Sequence, residues 1–210
     1  MKGDDSVFVY IVKFDKSVEV REVQPAIRNE AIQRCGDTLT KQQRYCAWRL
    51  LDYALVQRFG KGVADYDFTV GANGQWRCNG AHFSLTHCNN IVCVAVCNQP
   101  VGVDVEAVAN FAKYVDDCKF AERTLTHDEI ACIQTVAPEV RAQALAETWT
   151  QKESLFKLAG GRTFVPSSID TTRCKSHSQL FRFDGTDYAL AVATADEFPI
   201  EMQLVADIRF

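Results

Sequence analysis

The chain has 210 residues, 47% of them hydrophobic, and a net charge of −4. That length suits one large core or two of about 100 residues each, and the acidic balance argues against general attraction to nucleic acid or membrane surfaces. No apolar run approaches the ~18 residues that cross a bilayer, and two acids precede a short β-like segment in MKGDDSVFVYIVKF, so no secretory signal is expected.

VFVYIVKF (7–14) alternates and is rich in β-branched and aromatic residues, which predicts a strand. Thr40 is placed to cap a helix through KQQRYCAWRLLDYALVQRF, with Trp48, Leu51, Leu55 and Phe59 on its apolar face and Gly60 past its end. DYDFTV predicts a strand, and VGANGQW a turn built on Asn73-Gly74. AHFSLTH, IVCVAVC and VGVDVE, parted by turns at Asn89-Asn90 and Asn98 to Pro100, read as a β-meander. Nine cysteines, an odd number with no CxxC pair, point to buried free thiols in a reducing cytoplasm; Cys93 and Cys97 alternate with valines as small strand residues do.

The second half repeats the plan. A helix is expected over about 139–159, ended by Gly160-Gly161, and QLFRFD and DYALAVAT form a hairpin around Gly185. The two helix starts, Thr40 and Glu139, lie about 100 residues apart, and so do IVCVAVC and YALAVAT. The expected fold is α+β, with two similar α/β subdomains in pseudo-twofold relation, residues 1–103 and 104–210, and largely antiparallel sheets.

Three stretches carry chemistry. In VGVDVE, Asp104 and Glu106 project from one strand face about 7 Å apart. Such a pair suits either a solvated strand face or a hard divalent cation such as Mg²⁺. In ETWTQKESLFKLAGG, Trp149, Glu153 and Lys157 fall at i, i+4 and i+8 of a helix, with Lys152 beside them. That stripe is either an amphipathic face with a surface Glu–Lys pair or an acid, a base and an aromatic wall for a metal and an anion. In HFSLTH, Thr86 and His87 supply donors for a phosphate, unless the histidine is structural.

Taken in order, FSLTH, GVDVE and WTQKESLFK resemble the motifs of the 4′-phosphopantetheinyl transferase superfamily, in particular its Sfp-like class of single chains built as two similar halves. The resemblance spans about residues 40–160. It implies transfer of the phosphopantetheine arm of coenzyme A to a serine of an apo acyl or peptidyl carrier protein, with adenosine 3′,5′-bisphosphate as the other product. By the same resemblance, Asp104, Glu106 and Glu153 hold Mg²⁺ in an active site between the halves. Lys157 neutralises the pyrophosphate, Lys152 contributes, and Glu153 or a metal-bound water is the candidate base. His87 and Thr86 contact the 3′-phosphate of coenzyme A, while Lys41, Arg44 and Arg49 supply further phosphate contacts. The N-terminal half then holds the adenine and 3′-phosphate, and the C-terminal half the metal, the catalytic helix and the carrier.

The sequence departs from the family pattern in the VGANGQW loop: Gly74 matches, but Gln75 and Trp76 stand where Lys-Pro is usual. Trp76 is offered instead as a platform for adenine. For the carrier, FAKYVDDCKFAERTL offers Lys113, Lys119 and Arg123 among Phe111, Tyr114 and Phe120. A monomer in the cytoplasm, binding neither nucleic acid nor membrane, is expected. The rival expectations are an inactive coenzyme A- or carrier-binding module of the same fold, and a different Mg²⁺-dependent phosphoryl or nucleotidyl enzyme.

Overall fold

The computed structural model describes residues 6–71, 74–174, 176–205 and 208. In chain order the strands are β1 (Val7–Lys13), β2 (Phe68–Val70), β3 (Trp76–Cys78), β4 (His82–Cys88), β5 (Ile91–Cys97), β6 (Val101–Ala107), β7 (His177–Phe183), β8 (Thr186–Thr194) and β9 (Ile200–Leu204). The helices are α1 (Ala26–Gln33), α2 (Thr38–Phe59), α3 (Cys118–Thr124), α4 (His127–Thr135) and α5 (Arg141–Ala159). The chain divides into two compact units, Met1–Val101 with Asp196–Phe210, and Gly102–Ala195.

In the first unit the sheet order is β4-β5-β1-β9. β5 is apolar throughout because it pairs on both edges and is buried on both faces. Its partners β4 and β1 are antiparallel, with Tyr10 opposite Val94 and Thr86 opposite Cys93. α2 supplies Ala47, Trp48, Leu51 and Leu55 to the same core. Asp37, rather than Thr40, caps this helix: its carboxylate accepts from Thr40 N at 2.6 Å. A residue at the Ncap must sit outside the helix, and Thr40 is already inside it. At the other end Gly60 takes the left-handed conformation, φ +70°.

In the second unit the sheet order is β6-β8-β7, and β7 and β8 form the expected hairpin around Asp184-Gly185. α5 begins at Arg141 after a 3-10 turn, Pro138–Val140, and ends at Gly160, φ +64°. Its core holds Phe111, Leu125, Leu145, Ala146 and Ala189.

The fold is α+β, as the periodicities predict, and each unit repeats one connectivity. A strand is followed by a long helix and then a hairpin, and the hairpin's second strand lies beside the first strand: β1–α2–β4–β5 in one unit, β6–α5–β7–β8 in the other. Two further expectations fail. VGVDVE does not extend a meander with β5, because β1 already occupies that edge; it opens the second sheet instead. β9, within the range expected for the second half, runs parallel to β1, with Val9 opposite Met202. The Asn73 position of the predicted turn lies outside the described residues, but Gly71 and Gln75 close its base through a 2.8 Å hydrogen bond. All nine cysteines are free thiols. Among the described residues no helix is long and apolar enough to cross a membrane.

Candidate active site

The site starts from a glycine. A Cβ built on Gly102 would lie 1.9 Å from Ser154 O and 2.7 Å from Leu158 N, so only glycine lets β6 lie directly on the α5 backbone. This close approach sets Asp104, two residues further along β6, against the helical turn that carries Glu153 and Lys157. Val103 and Val105 are fully buried, which fixes the strand's orientation.

Asp104 is only 4% exposed, and Lys157 Nζ lies 2.7 Å from its Oδ1. The same ammonium donates to Val103 O at 3.1 Å and stands 3.6 Å from Glu153 Oε2. Glu106 accepts from Asn110 Nδ2 at 3.4 Å. Burial is the main force raising the Glu153 carboxyl, to about 7; Asp104 and Glu106 add to it, and Lys157 opposes them. The structure therefore brings together four of the predicted residues: Asp104, Glu106, Glu153 and Lys157. It yields an acid that changes charge near neutral pH beside a buried carboxylate–ammonium pair.

Lys152 stands apart from this group. It is fully buried, pairs with Glu129 Oε2 at 2.6 Å, and donates to Pro166 O at 3.0 Å and to Ile169 O. An ammonium has three protons, and these three acceptors use them all. Lys152 is an anchor of α5, which corrects its expected part in the chemistry. Trp149, from the same predicted stripe, packs in an aromatic cluster with Phe111, Phe120 and Phe164. In the proposed carrier-facing segment, Tyr114 and Phe120 stack at 4.2 Å and Phe111 is buried in this cluster, while Lys113, Lys119 and Arg123 are exposed.

The other predicted residues lie in the first unit. Thr86 and His87 are neighbours on β4 and so face opposite ways, Thr86 buried and His87 exposed; they do not form one donor pair. Gly74, φ +79°, donates its N–H to Gly71 O at 2.8 Å, and Gln75 is half-buried behind it. On α2, Lys41 is half-buried, Arg44 Nη1 reaches Cys35 Sγ at 2.9 Å, and Arg49 lies 4.0 Å from Asp52. Trp76, expected to be free for adenine, packs on Trp48 at 5.3 Å and under the Arg28 guanidinium at 5.2 Å. Arg28 itself escaped the sequence reading. It is 6% exposed, stacks 4.7 Å from Trp48, and donates to Arg44 O at 3.1 Å. Burial first, and then Arg44, lower its pKa to about 10.

Among the described residues no three His, Cys, Asp or Glu side chains are grouped as a ready metal site. Lys157 is paired with Asp104. The donor chemistry nonetheless fits a hard divalent ion. Three carboxylates supply oxygen alone, and their mutual repulsion is visible in the raised pKa of Glu153.

Carboxylates on a strand and a facing helix, with a lysine among them, thus form one charged cluster in the second unit. The model of the 4′-phosphopantetheinyl transferase superfamily matches residues 100–202, the stretch that contains this centre. The chain is 22% identical over 181 residues to a 4′-phosphopantetheinyl transferase of Bacillus subtilis, covering 82% of this chain and 79% of that one. It is 29% identical over 108 residues to one of Aneurinibacillus migulanus, covering 51% of this chain and 38% of that one. With one of Bacillus pumilus it shares 32% over 98 residues, 47% of this chain and 40% of that one. The matched stretch thus spans about two fifths of these last two relatives. A holo-(acyl-carrier-protein) synthase of Bacillus anthracis, solved with coenzyme A, aligns with 46% of this chain and 96% of its own at 20% identity and a TM-score of 0.33. By the family model over residues 100–202 and these sequence relatives, the chain is similar to the 4′-phosphopantetheinyl transferase superfamily.

Proposed function

We propose that the chain is an Sfp-like 4′-phosphopantetheinyl transferase, moving the phosphopantetheine arm of coenzyme A to a serine of an apo carrier protein. The observation that supports this reading is the meeting of strand and helix, where Lys157 Nζ lies 2.7 Å from Asp104 Oδ1 and 3.6 Å from Glu153 Oε2. Such a cluster offers a carboxylate as base and an ammonium to balance charge on a phosphate. Glu153 accepts the serine proton as the serine oxygen bonds to the β-phosphorus of coenzyme A. The phosphorus–oxygen bond to the nucleotide breaks, and adenosine 3′,5′-bisphosphate leaves with the electron pair. Lys157 balances the charge gathering on the pyrophosphate oxygens.

Asp104, Glu106 and Glu153 are the residues that would hold Mg²⁺. Bound there, the ion would supply positive charge to the pyrophosphate and relieve the repulsion among the three acids. In the first unit, His87 is assigned to the 3′-phosphate, and Lys41 and Arg44 to further phosphate oxygens. The exposed Lys113, Lys119 and Arg123 face the carrier. A cytoplasmic setting accords with nine free thiols.

The test is to mix the protein with coenzyme A, Mg²⁺ and apo carrier proteins and weigh the carriers by mass spectrometry. The reading expects a phosphopantetheine increment that disappears with Glu153→Gln or Asp104→Ala. An absence of increment across diverse carriers, with tight coenzyme A binding retained, would replace it with the inactive binding module.

A further inference from the structure

Lys152 and Glu129 form the centre of a buried network that the proposed chemistry does not use. Beyond its bond to Lys152, Glu129 Oε2 accepts from Thr126 N at 2.8 Å, which closes a capping box at the start of α4. Its Oε1 accepts from Thr171 N at 2.9 Å and from Thr171 Oγ1 at 2.7 Å. Lys152 in turn holds the carbonyls of Pro166 and Ile169. One ion pair therefore ties α5, the first turn of α4 and the segment 166–171 together.

As a source of stability such a pair is a poor choice, since two apolar side chains of similar volume often serve equally well in its place. What apolar packing does not supply is direction. An ammonium with three fixed acceptors sets the rotation of α5 about its axis. Glu153 is the next residue and Lys157 lies five further on, so both inherit that rotation where they meet Asp104. Resting on the function proposed above, we propose that Glu129 acts through Lys152 as a positioning residue for the Asp104–Glu153–Lys157 centre.

The test uses the full chain with Glu129→Leu and Lys152→Met combined, and Glu129→Gln alone. Four quantities are read: the melting temperature, kcat, KM for coenzyme A, and the Kd for Mn²⁺ measured by calorimetry on the protein without substrates. The double variant is expected to melt close to the wild type. Its kcat should fall by roughly 10- to 100-fold and its Mn²⁺ affinity by about tenfold or more, as for other residues that orient ligands from behind, with KM for coenzyme A little changed. Glu129→Gln should show the same split in smaller measure, and it decides the matter if the double variant does not fold. A variant as stable as the wild type, with wild-type kcat and Mn²⁺ affinity, overturns the proposal. If the wild-type protein transfers nothing yet binds Mn²⁺, the transferase reading falls and the Mn²⁺ measurement still decides the positioning role. A wild-type protein that does neither overturns both.

Discussion

Lys157 Nζ lies 2.7 Å from Asp104 Oδ1, a link between helix and strand spanning 53 residues of sequence. Because Lys157 also stands 3.6 Å from Glu153, the two acids share one cation, and each feels the other's charge. Removing the Asp104 charge while keeping its shape therefore removes one of the two acids that raise Glu153. In cation-free Asp104→Asn protein the Glu153 pKa should fall below its value near 7, staying above that of an ordinary glutamate because burial remains the larger cause. Carboxyl ¹³C titration measures it. An unchanged Glu153 would show that the two acids do not communicate.

Glu153 also makes stability depend on pH, with a sign set by its raised pKa. A carboxyl whose folded pKa exceeds its unfolded value of 4.5 binds more protons folded than unfolded between about 4.5 and 7. Stability from this group is complete below 4.5 and declines as pH rises through 7. Glu153→Gln, which cannot ionise, should match the wild-type melting temperature at pH 4 and exceed it at pH 8 in cation-free buffer. A variant less stable at pH 8 than at pH 4, relative to wild type, would mean that the ionised carboxylate is welcome in the fold.

Gly102→Ala tests the contact on which the site is built. The added carbon would meet backbone, Ser154 O at 1.9 Å, so no side-chain rotation relieves it and β6 must move off α5. Overpacking of this kind costs about 1–3 kcal/mol. Urea unfolding should show a lower midpoint with an unchanged slope, and activity should fall as Asp104 shifts from Lys157. A midpoint equal to wild type would mean that the strand and helix separate at little cost.

Periodicity made part of this site legible. Asp104 and Glu106 two apart on a strand, and Glu153 and Lys157 four apart on a helix, share faces by geometry alone. The same reasoning misled where neighbours were grouped by sequence. Lys152 adjoins Glu153 but projects about 100° away around the helix, into a pocket of carbonyls. Thr86 adjoins His87 but faces the other side of β4. Glu129, Arg28 and Asn110 were not foreseen, because their partners lie on other elements and no repeat marks them. β9 pairs with a strand almost two hundred positions earlier, and α1, α3 and α4 are too short to show a strong apolar stripe. Gly102 was read with its motif, yet only the packing of β6 on α5 shows why it must be glycine.

His87 separates the coenzyme A assignment from the rest of the reaction. Its side chain is exposed on β4, so its loss should leave the fold intact. If it contacts the 3′-phosphate, His87→Ala should raise KM for coenzyme A by roughly tenfold, the loss of one charge-assisted hydrogen bond worth about 1.4 kcal/mol. Because that contact is made equally before and during reaction, kcat should stay within about twofold. Dephospho-coenzyme A, which lacks the 3′-phosphate, provides the control: wild type and His87→Ala should use it with the same KM. An equal rise in KM for both substrates would place His87 elsewhere on the ligand, and a fall in kcat alone would place it in the chemistry.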